Sequence, residues 1–344
     1  MHPLPETAAD VPETLPSGSS RLARLALTST PLYVAGAVLV LALVFAAMTS
    51  GAFLNLSNLQ SIGRNSAGLV LLAIGLAFVL GAGHIDLSVG STLVVSSVVA
   101  AKITAALTSS TGVATAIVAG ALAAVVTGAA MGLLNGLLVT ILKINSFVVT
   151  LGTMGVGIGA AQVITNGANV TGLPTAIQTG FGLGTWLGVP LPLWLALAVG
   201  AVCALVLSQT VFGRHALAIG SAEDGARRAG VPVRRTTIGV FVLAGTLAGM
   251  AGFLDITRFA TTAISGHETT MLQALSAVII GGTSLFGGRA SVLGSIIATF
   301  ISTVLISGFV MVGVSSFYQR IAIGVVLIIA VWVDRMRRPL ARHE

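Results

Sequence analysis

Long apolar runs dominate the chain, and the polar residues collect between them. Ten runs approach the roughly 20 residues that a bilayer crossing needs. They are approximately 32–50, 65–83, 88–107, 113–142, 146–165, 191–211, 236–254, 270–286, 291–313 and 317–334. Within each run the apolar positions are continuous. This predicts helices and argues against a transmembrane β-barrel, whose strands alternate over about ten residues. The fourth run is long enough to predict a tilted or broken helix. The eighth is short and Gly-rich, which predicts a re-entrant or broken one. The expected fold class is an all-α integral membrane protein with about ten transmembrane helices.

Composition sharpens the class. Hydrophobic residues make up 55% of the chain and charged residues 8%. Soluble domains carry about 25% charged residues, so the bilayer is the expected solvent. The 42 glycines suit a bundle in lipid, where small residues let helix backbones approach closely. Residues 1–30 differ from the rest, with Pro3, Pro5, Pro12 and Pro16 interspersed with Glu6, Asp10 and Glu13. They read as a disordered cytoplasmic tail rather than a signal peptide, because they lack a basic start and an apolar core. Residues 31–335 are the expected transmembrane domain and 336–344 a basic cytoplasmic tail. The lone Cys203 lies in an apolar run and has no intrachain disulfide partner.

Charge sets the orientation. With the N-terminus inside, ten alternating spans place 13 Lys and Arg residues on the cytoplasmic side and 4 outside: Arg64, Lys102, Arg258 and Arg320. Cytoplasmic loops of membrane proteins carry such an excess, so both termini are expected inside. The same rule accounts for the net charge of +7. The basic residues end apolar spans and do not interleave with aromatics, so nucleic acid is not an expected partner; membrane lipid is.

The densest charge lies in the Gly213–Arg235 loop, which holds Arg214, Arg227, Arg228, Arg234 and Arg235 together with Glu223 and Asp224. Ser221 is placed to cap a helix whose first turn holds the two acids, where they oppose the positive end of the helix dipole. Gly230 and Pro232 end that helix. The expectation is one short cytoplasmic helix of two to three turns. Spacing alone leaves two readings open: a solvated connector, or a surface that meets a soluble partner.

Two further stretches stand out. In Gly83–Ser91, Asp86 lies between apolar runs, where an acid is costly unless hydrated, paired or protonated. It is placed to cap the next helix with help from Ser88. In Gly281–Arg289, the pairs Gly281-Gly282 and Gly287-Gly288 predict a sharp turn or a broken helix. These stretches also echo each other, since Leu87-Ser88-Val89-Gly90-Ser91 parallels Ser291-Val292-Leu293-Gly294-Ser295. Such echoes mark structural repeats in transporters or arise by chance at Gly-rich helix ends.

Catalytic chemistry is not legible. A Walker A loop ends in Gly-Lys-Ser/Thr. The two lysines, Lys102 and Lys143, follow Ala101 and Leu142, so no such loop exists and the chain is not expected to be an enzyme. No His/Cys/Asp/Glu cluster has metal-ligand spacing. Asp255, Arg258, His267 and Glu268 are expected at an external loop, mainly as solvated charges. Asn65, Asn135, Gln162, Gln273 and Phe147 are the candidate lining of a translocation path, with helix packing as the competing reading for each.

Four stretches together resemble the membrane permease subunits of bacterial ABC importers for ribose, xylose, galactose and related solutes. They are Gly83–Ser91; Asn135-Gly136-Leu137-Leu138 followed by Phe147–Thr153; Gly213–Val233; and Ala277–Arg289. The resemblance covers about residues 32–335. His84 departs from the glycine expected there, and Asn145-Ser146 from a frequent proline.

The resemblance implies a homodimeric permease, two cytoplasmic ATPase subunits that carry ATP and Mg, and a periplasmic or extracellular solute-binding protein, at the bacterial inner membrane. The chain itself would hold no cofactor. Gly220, Ser221, Glu223, Asp224, Ala226, Arg227, Arg228 and Gly230 would form the coupling surface, with small Ala226 and Ala229 packing into the ATPase. ATP binding would drive transport by favouring one of two permease conformations. The solute would be a monosaccharide or small neutral polyol, because the spans show no buried charge to meet an ion. The competing class is a stand-alone secondary transporter or channel.

Overall fold

A computed structural model describes residues 30–337. Most of the two expected tails, 1–30 and 336–344, lies outside the described residues. The apolar runs become helices α1 (Thr30–Met48), α2 (Leu56–Gly81), α3 (Val89–Thr111), α4 (Val113–Ile141), α5 (Ser146–Thr165) and α6 (Leu191–Gln209). Two short helices follow, α7 (Val211–Ser221) and α8 (Glu223–Arg228). Then come α9 (Val233–Phe259), α10 (His267–Ile280), α11 (Val292–Met311) and α12 (Ser316–Arg337). Each of the ten expected runs has its helix. Among the described residues, eight are long and apolar enough to cross a membrane: α1 to α6, α9 and α11.

The fourth run is one unbroken 29-residue helix. The eighth ends earlier than expected, at Ile280, and has 14 residues, or about 21 Å at 1.5 Å per residue. It falls short of the roughly 30 Å hydrocarbon core.

The bundle is built around α2 and α9. Both are buried over most of their length, and α9 packs on α2, α3 and α4. Glycine makes this possible. A Cβ on Gly75 of α2 would sit 3.0 Å from the Ala244 Cα of α9. On α4, Gly128, Gly132 and Gly136 recur every four residues. A Cβ at Gly128 would sit 2.8 Å from Gly249 Cα, and one at Gly136 would sit 2.9 Å from Ile238 Cα. This is the small-residue seam by which helices approach in lipid, where van der Waals packing replaces hydrophobic burial as the driving force. The outer faces of α1, α4 and α5 stay apolar and exposed, as lipid-facing surfaces should; Leu39, Val40, Leu122, Val126 and Val156 are examples.

The charge-free segment 166–190 is folded. It contains a π-helical turn, Ile177–Gly182, and a small hairpin of β1 (Thr185–Trp186) and β2 (Val189–Pro190). Leu187 and Gly188 make the turn with positive φ at both positions, as a two-residue hairpin requires. The Trp194 indole N–H donates to the Trp186 carbonyl at 3.1 Å, and the two rings pack together.

Segment 82–88 does not stay at one face. Gly83 lies against Gly220 beside the α7–α8 pair, while Gly90 abuts the His267 carbonyl at the opposite, N-terminal end of α10. The segment therefore climbs into the bundle, and α3 starts at depth.

Candidate coupling and translocation sites

The three stretches singled out in the sequence meet at one place. Gly220, near the end of α7, packs backbone to backbone against Gly83 after α2 and Gly287 before α11. A Cβ on Gly83 would lie 3.2 Å from Gly220 Cα, and one on Gly287 would lie 2.9 Å from it. The Gly288 N–H donates to the Gly81 carbonyl at 3.0 Å. Gly83, Gly282, Gly287 and Gly288 all have φ between +78° and +96°, the left-handed region that favours glycine.

The sequence echo has a geometric counterpart here. Gly83 and Gly282 close α2 and α10 with the same cap, in which the His84 N–H donates to Val79 O and the Thr283 N–H to Val278 O. Gly281, the last helical turn's cap, packs against Gly294 and Ser295 of α11.

The charged loop between α6 and α9 differs from expectation in three ways. It forms two helices rather than one. Ser221 does not cap α8; it ends α7, and its hydroxyl donates to the Leu217 carbonyl at 3.0 Å. The cap position belongs to Ala222, whose side chain offers no acceptor. Ala226, expected to face a partner, points into the chain and is buried. The outward surface is Glu223, Asp224, Arg227, Arg228, Ala229 and Gly230. The acids of α8 lie in its first turn and the arginines in its last, complementing its dipole. Arg227 also pairs with Glu223 one turn away, an exposed contact that adds only tenths of a kcal/mol, roughly. Behind α8 a cleft of about 740 Å³ is lined by His84, Lys143, Asn145, Glu223, Arg227 and Arg234. The His84 ring rests on Phe241. Burial lowers its pKa from the ordinary imidazole value, with the Glu223 carboxylate acting in the opposite direction.

From this junction a chain of hydrogen bonds runs into the bundle. Thr153 Oγ1 donates to Asn135 Oδ1 at 2.7 Å, and Asn135 Nδ2 to Ser88 Oγ at 2.7 Å. Ser88 Oγ then donates to Asp86 Oδ1 at 2.6 Å, which also accepts the Ser88 N–H at 2.8 Å. All four residues are buried. Every donor points toward the carboxylate, so the bonds polarise one another in one direction. Asp86 makes a local turn ahead of α3 rather than the expected cap: the N-cap position is Ser88, and no side chain caps the helix. Ser146 and Thr150 tie down the same segment: Ser146 Oγ accepts the Ile85 N–H at 3.1 Å, and Thr150 Oγ1 lies 3.2 Å from the Ile85 carbonyl. Ser146, Thr150 and Thr153 are not among the candidate site residues offered by the sequence. Their signal was present, as polar residues at i, i+4 and i+7 on one face of an apolar helix.

The five path candidates separate. Asn135 belongs to the buried chain. Phe147 and Gln162 lie exposed on α5 and line neither the cleft behind α8 nor the one shared by Asn65 and Gln273. Asn65 and Gln273 meet in a cleft of about 240 Å³ between α2, α3, α9, α10 and α11.

Charged residues line that cleft too. Asp255 and Arg258 are not loop residues, because α9 continues to Phe259; they sit one turn apart on a partly buried face. His267 Nε2 is 3.6 Å from Asp255 Oδ2, and Arg64 joins them from α2. Glu268 is exposed in a smaller adjoining pocket. The expectation that the spans carry no buried charge is therefore corrected: hydropathy ended the seventh span at its first acid, whereas the helix and its packing continue.

The chain belongs to the branched-chain amino acid transport system / permease component family, whose profile matches residues 58–331. It is a multi-pass membrane permease component and not itself an enzyme. Among its relatives is the ribose import permease protein RbsC of Bacillus subtilis (strain 168), 37% identical over 296 residues, which are 86% of this chain and 89% of the relative. RbsC of Escherichia coli (strain K12) is 34% identical, covering 83% and 88% of the two chains. The L-arabinose transport system permease protein AraH of Escherichia coli (strain K12) is also 34% identical, covering 84% and 86%. No solved structure matches the chain.

Proposed function

We propose that this chain is the permease subunit of an ATP-driven importer of a monosaccharide or similar small neutral polyol. It works as a homodimer, with two copies of a separate ATPase that holds ATP and Mg and a soluble solute-binding protein outside. Ten spans with both termini in the cytoplasm complete the topology, so that residues 31–335 form the membrane domain. One observation carries the reading. The exposed charged surface of α8 belongs to a helix pair seated directly, through Gly220, on the turns that follow α2 and α10. A partner that moves α7–α8 moves the ends of α2 and α10 with it. The sugar class rests on the names of the relatives.

The test is uptake in proteoliposomes holding this chain, its ATPase and its binding protein. ATP-dependent ribose or arabinose uptake is expected. Clear preference for an amino acid over every sugar tried would overturn the substrate class. The buried Asp255–His267 pair favours a second reading, a stand-alone proton-coupled carrier, because carriers use buried titratable relays. Uptake that ignores ATP and collapses with a protonophore would establish that reading instead. For topology, a Cys in place of Thr175 should react with an impermeant thiol reagent outside, and one in place of Ala222 should not; the reverse would invert the orientation.

A further inference from the structure

The external cleft is built differently from the rest of the bundle. Among the described residues, six buried side-chain polar atoms have no hydrogen-bond partner. Four of them line this one cleft: Arg64 Nε, Asp255 Oδ2, and both ring nitrogens of His267; Asp255 Oδ2 and His267 Nε2 face each other at 3.6 Å, an ion-pair distance too long for a hydrogen bond. Buried polar groups are normally satisfied, and each orphan costs roughly 1–3 kcal/mol. A cluster of orphans around a cavity marks a place where a polar solute completes the bonding.

The lining also selects the solute's chemistry. Asp255 accepts, Arg64 and Arg258 donate, and Asn65, Gln273 and the His267 imidazole offer both roles. A cation would face two guanidinium groups and an anion would face a carboxylate. A neutral polyol suits both, because each hydroxyl donates once and accepts as well. The volume of about 240 Å³ also suits it. If each C–O unit takes about the 30 Å³ of a water molecule, a pentose or hexose fits.

We propose that this cleft is a solute-recognition site within the permease, specific for neutral solutes with neighbouring hydroxyl groups and contained within a single protomer. It rests on the importer reading and deepens it by adding selection in the membrane subunit to that of the binding protein. Asp255 and Gln273 are its hydroxyl-binding residues. Arg64 and Arg258 supply charge-assisted donors, which make roughly twice the contribution of neutral ones.

Two measurements test it. In the proteoliposome system with saturating binding protein, uptake of D-ribose is compared with uptake of 2-deoxyribose in the wild type, Asp255→Asn, Gln273→Leu and Thr270→Val. The binding protein is the same throughout, so its own preference cancels. The ribose-to-deoxyribose ratio is expected to fall about tenfold in Asp255→Asn and Gln273→Leu, the scale of one lost charged or bidentate hydrogen bond. Thr270→Val, a near-isosteric change, should shift it less. An unchanged ratio in all three variants, with ATP-driven uptake continuing, overturns the site and leaves the importer reading intact. Separately, saturation-transfer NMR of ribose against the chain alone in nanodiscs should show contact in the wild type that weakens in Gln273→Leu. No contact in the wild type overturns the site whatever transport shows. Contact without ATP-driven uptake of any sugar keeps the site and overturns the importer.

Discussion

The glycine junction and the polar cleft lie toward opposite ends of the same two helices, α2 and α10, and they are made of opposite materials. The junction is glycine on glycine, with backbone in direct contact and a backbone hydrogen bond from Gly288 to Gly81. The cleft is lined by long polar side chains, four of whose atoms lack partners. Close-packed backbone transmits displacement, because interiors at crystal-like density compress little. A loosely bonded polar cleft rearranges at small cost. One end of the molecule is fit to pass on a push and the other to change its contents.

The largest effect should come from filling the junction. Gly220→Val would drive its side chain into the backbones of Gly81, Ala82 and Gly288, beginning at the Cβ, so no rotamer offers relief. Overpacking costs about 1–3 kcal/mol where neighbours can shift, and here they are main chain. Little folded protein should reach the membrane, as fluorescence-detected size exclusion would show; a normal monodisperse yield would mean that the junction is soft.

Next comes the surface above it. Arg227→Glu with Arg228→Glu alters exposed side chains, so thermal stability in detergent should stay within about 0.5 kcal/mol of the wild type. ATP-driven uptake and ATPase co-purification should both fall at least about tenfold, the loss expected from desolvated charge pairs at an interface. Unchanged values in both assays would remove α8 from the coupling role.

The smallest of the three effects probes what lies between the two regions. Asn135→Leu leaves the Thr153 hydroxyl only its longer bond to the Thr150 carbonyl, at 3.3 Å, and removes the amide that donates to Ser88 Oγ. A loss of about 1–3 kcal/mol is expected, read as a lower melting temperature, with Gly152→Ala as the silent control because nothing lies within 4 Å of a Cβ there. Equal melting of both variants would show that the buried chain is dispensable.

Much of the glycine junction was legible in the sequence, because left-handed turns demand glycine and an acid between apolar runs demands an explanation. What could not be read was convergence. Gly81, Gly220 and Gly288 are far apart in the chain, and only packing shows that they touch. The Ser221 cap failed for a local reason. Helix α7 runs on through Gly220 to Ser221, so the serine's hydroxyl bonds back to Leu217 rather than forward to α8. Ala226 could not be oriented, since six residues of helix carry too little periodicity to tell an inner from an outer face. The cleft was misread because charge was equated with loop. Asp255 and Arg258 lie three apart, and that spacing brings them to one face once α9 is seen to continue past them.

The junction also has a mechanical consequence. A coupling element that reaches its target through side chains has slack, since a rotamer can turn and absorb the stroke. Here Gly220 has no side chain to turn, and neither do Gly83 and Gly287. In the proposed coupling role the joint would act like a bearing without play: a shift of about 1 Å applied at α8, small on the scale of allosteric helix movements, would reach the turns after α2 and α10 together. Timing between the two turns is then set by contact geometry, and the subunit needs no separate device to keep them in step.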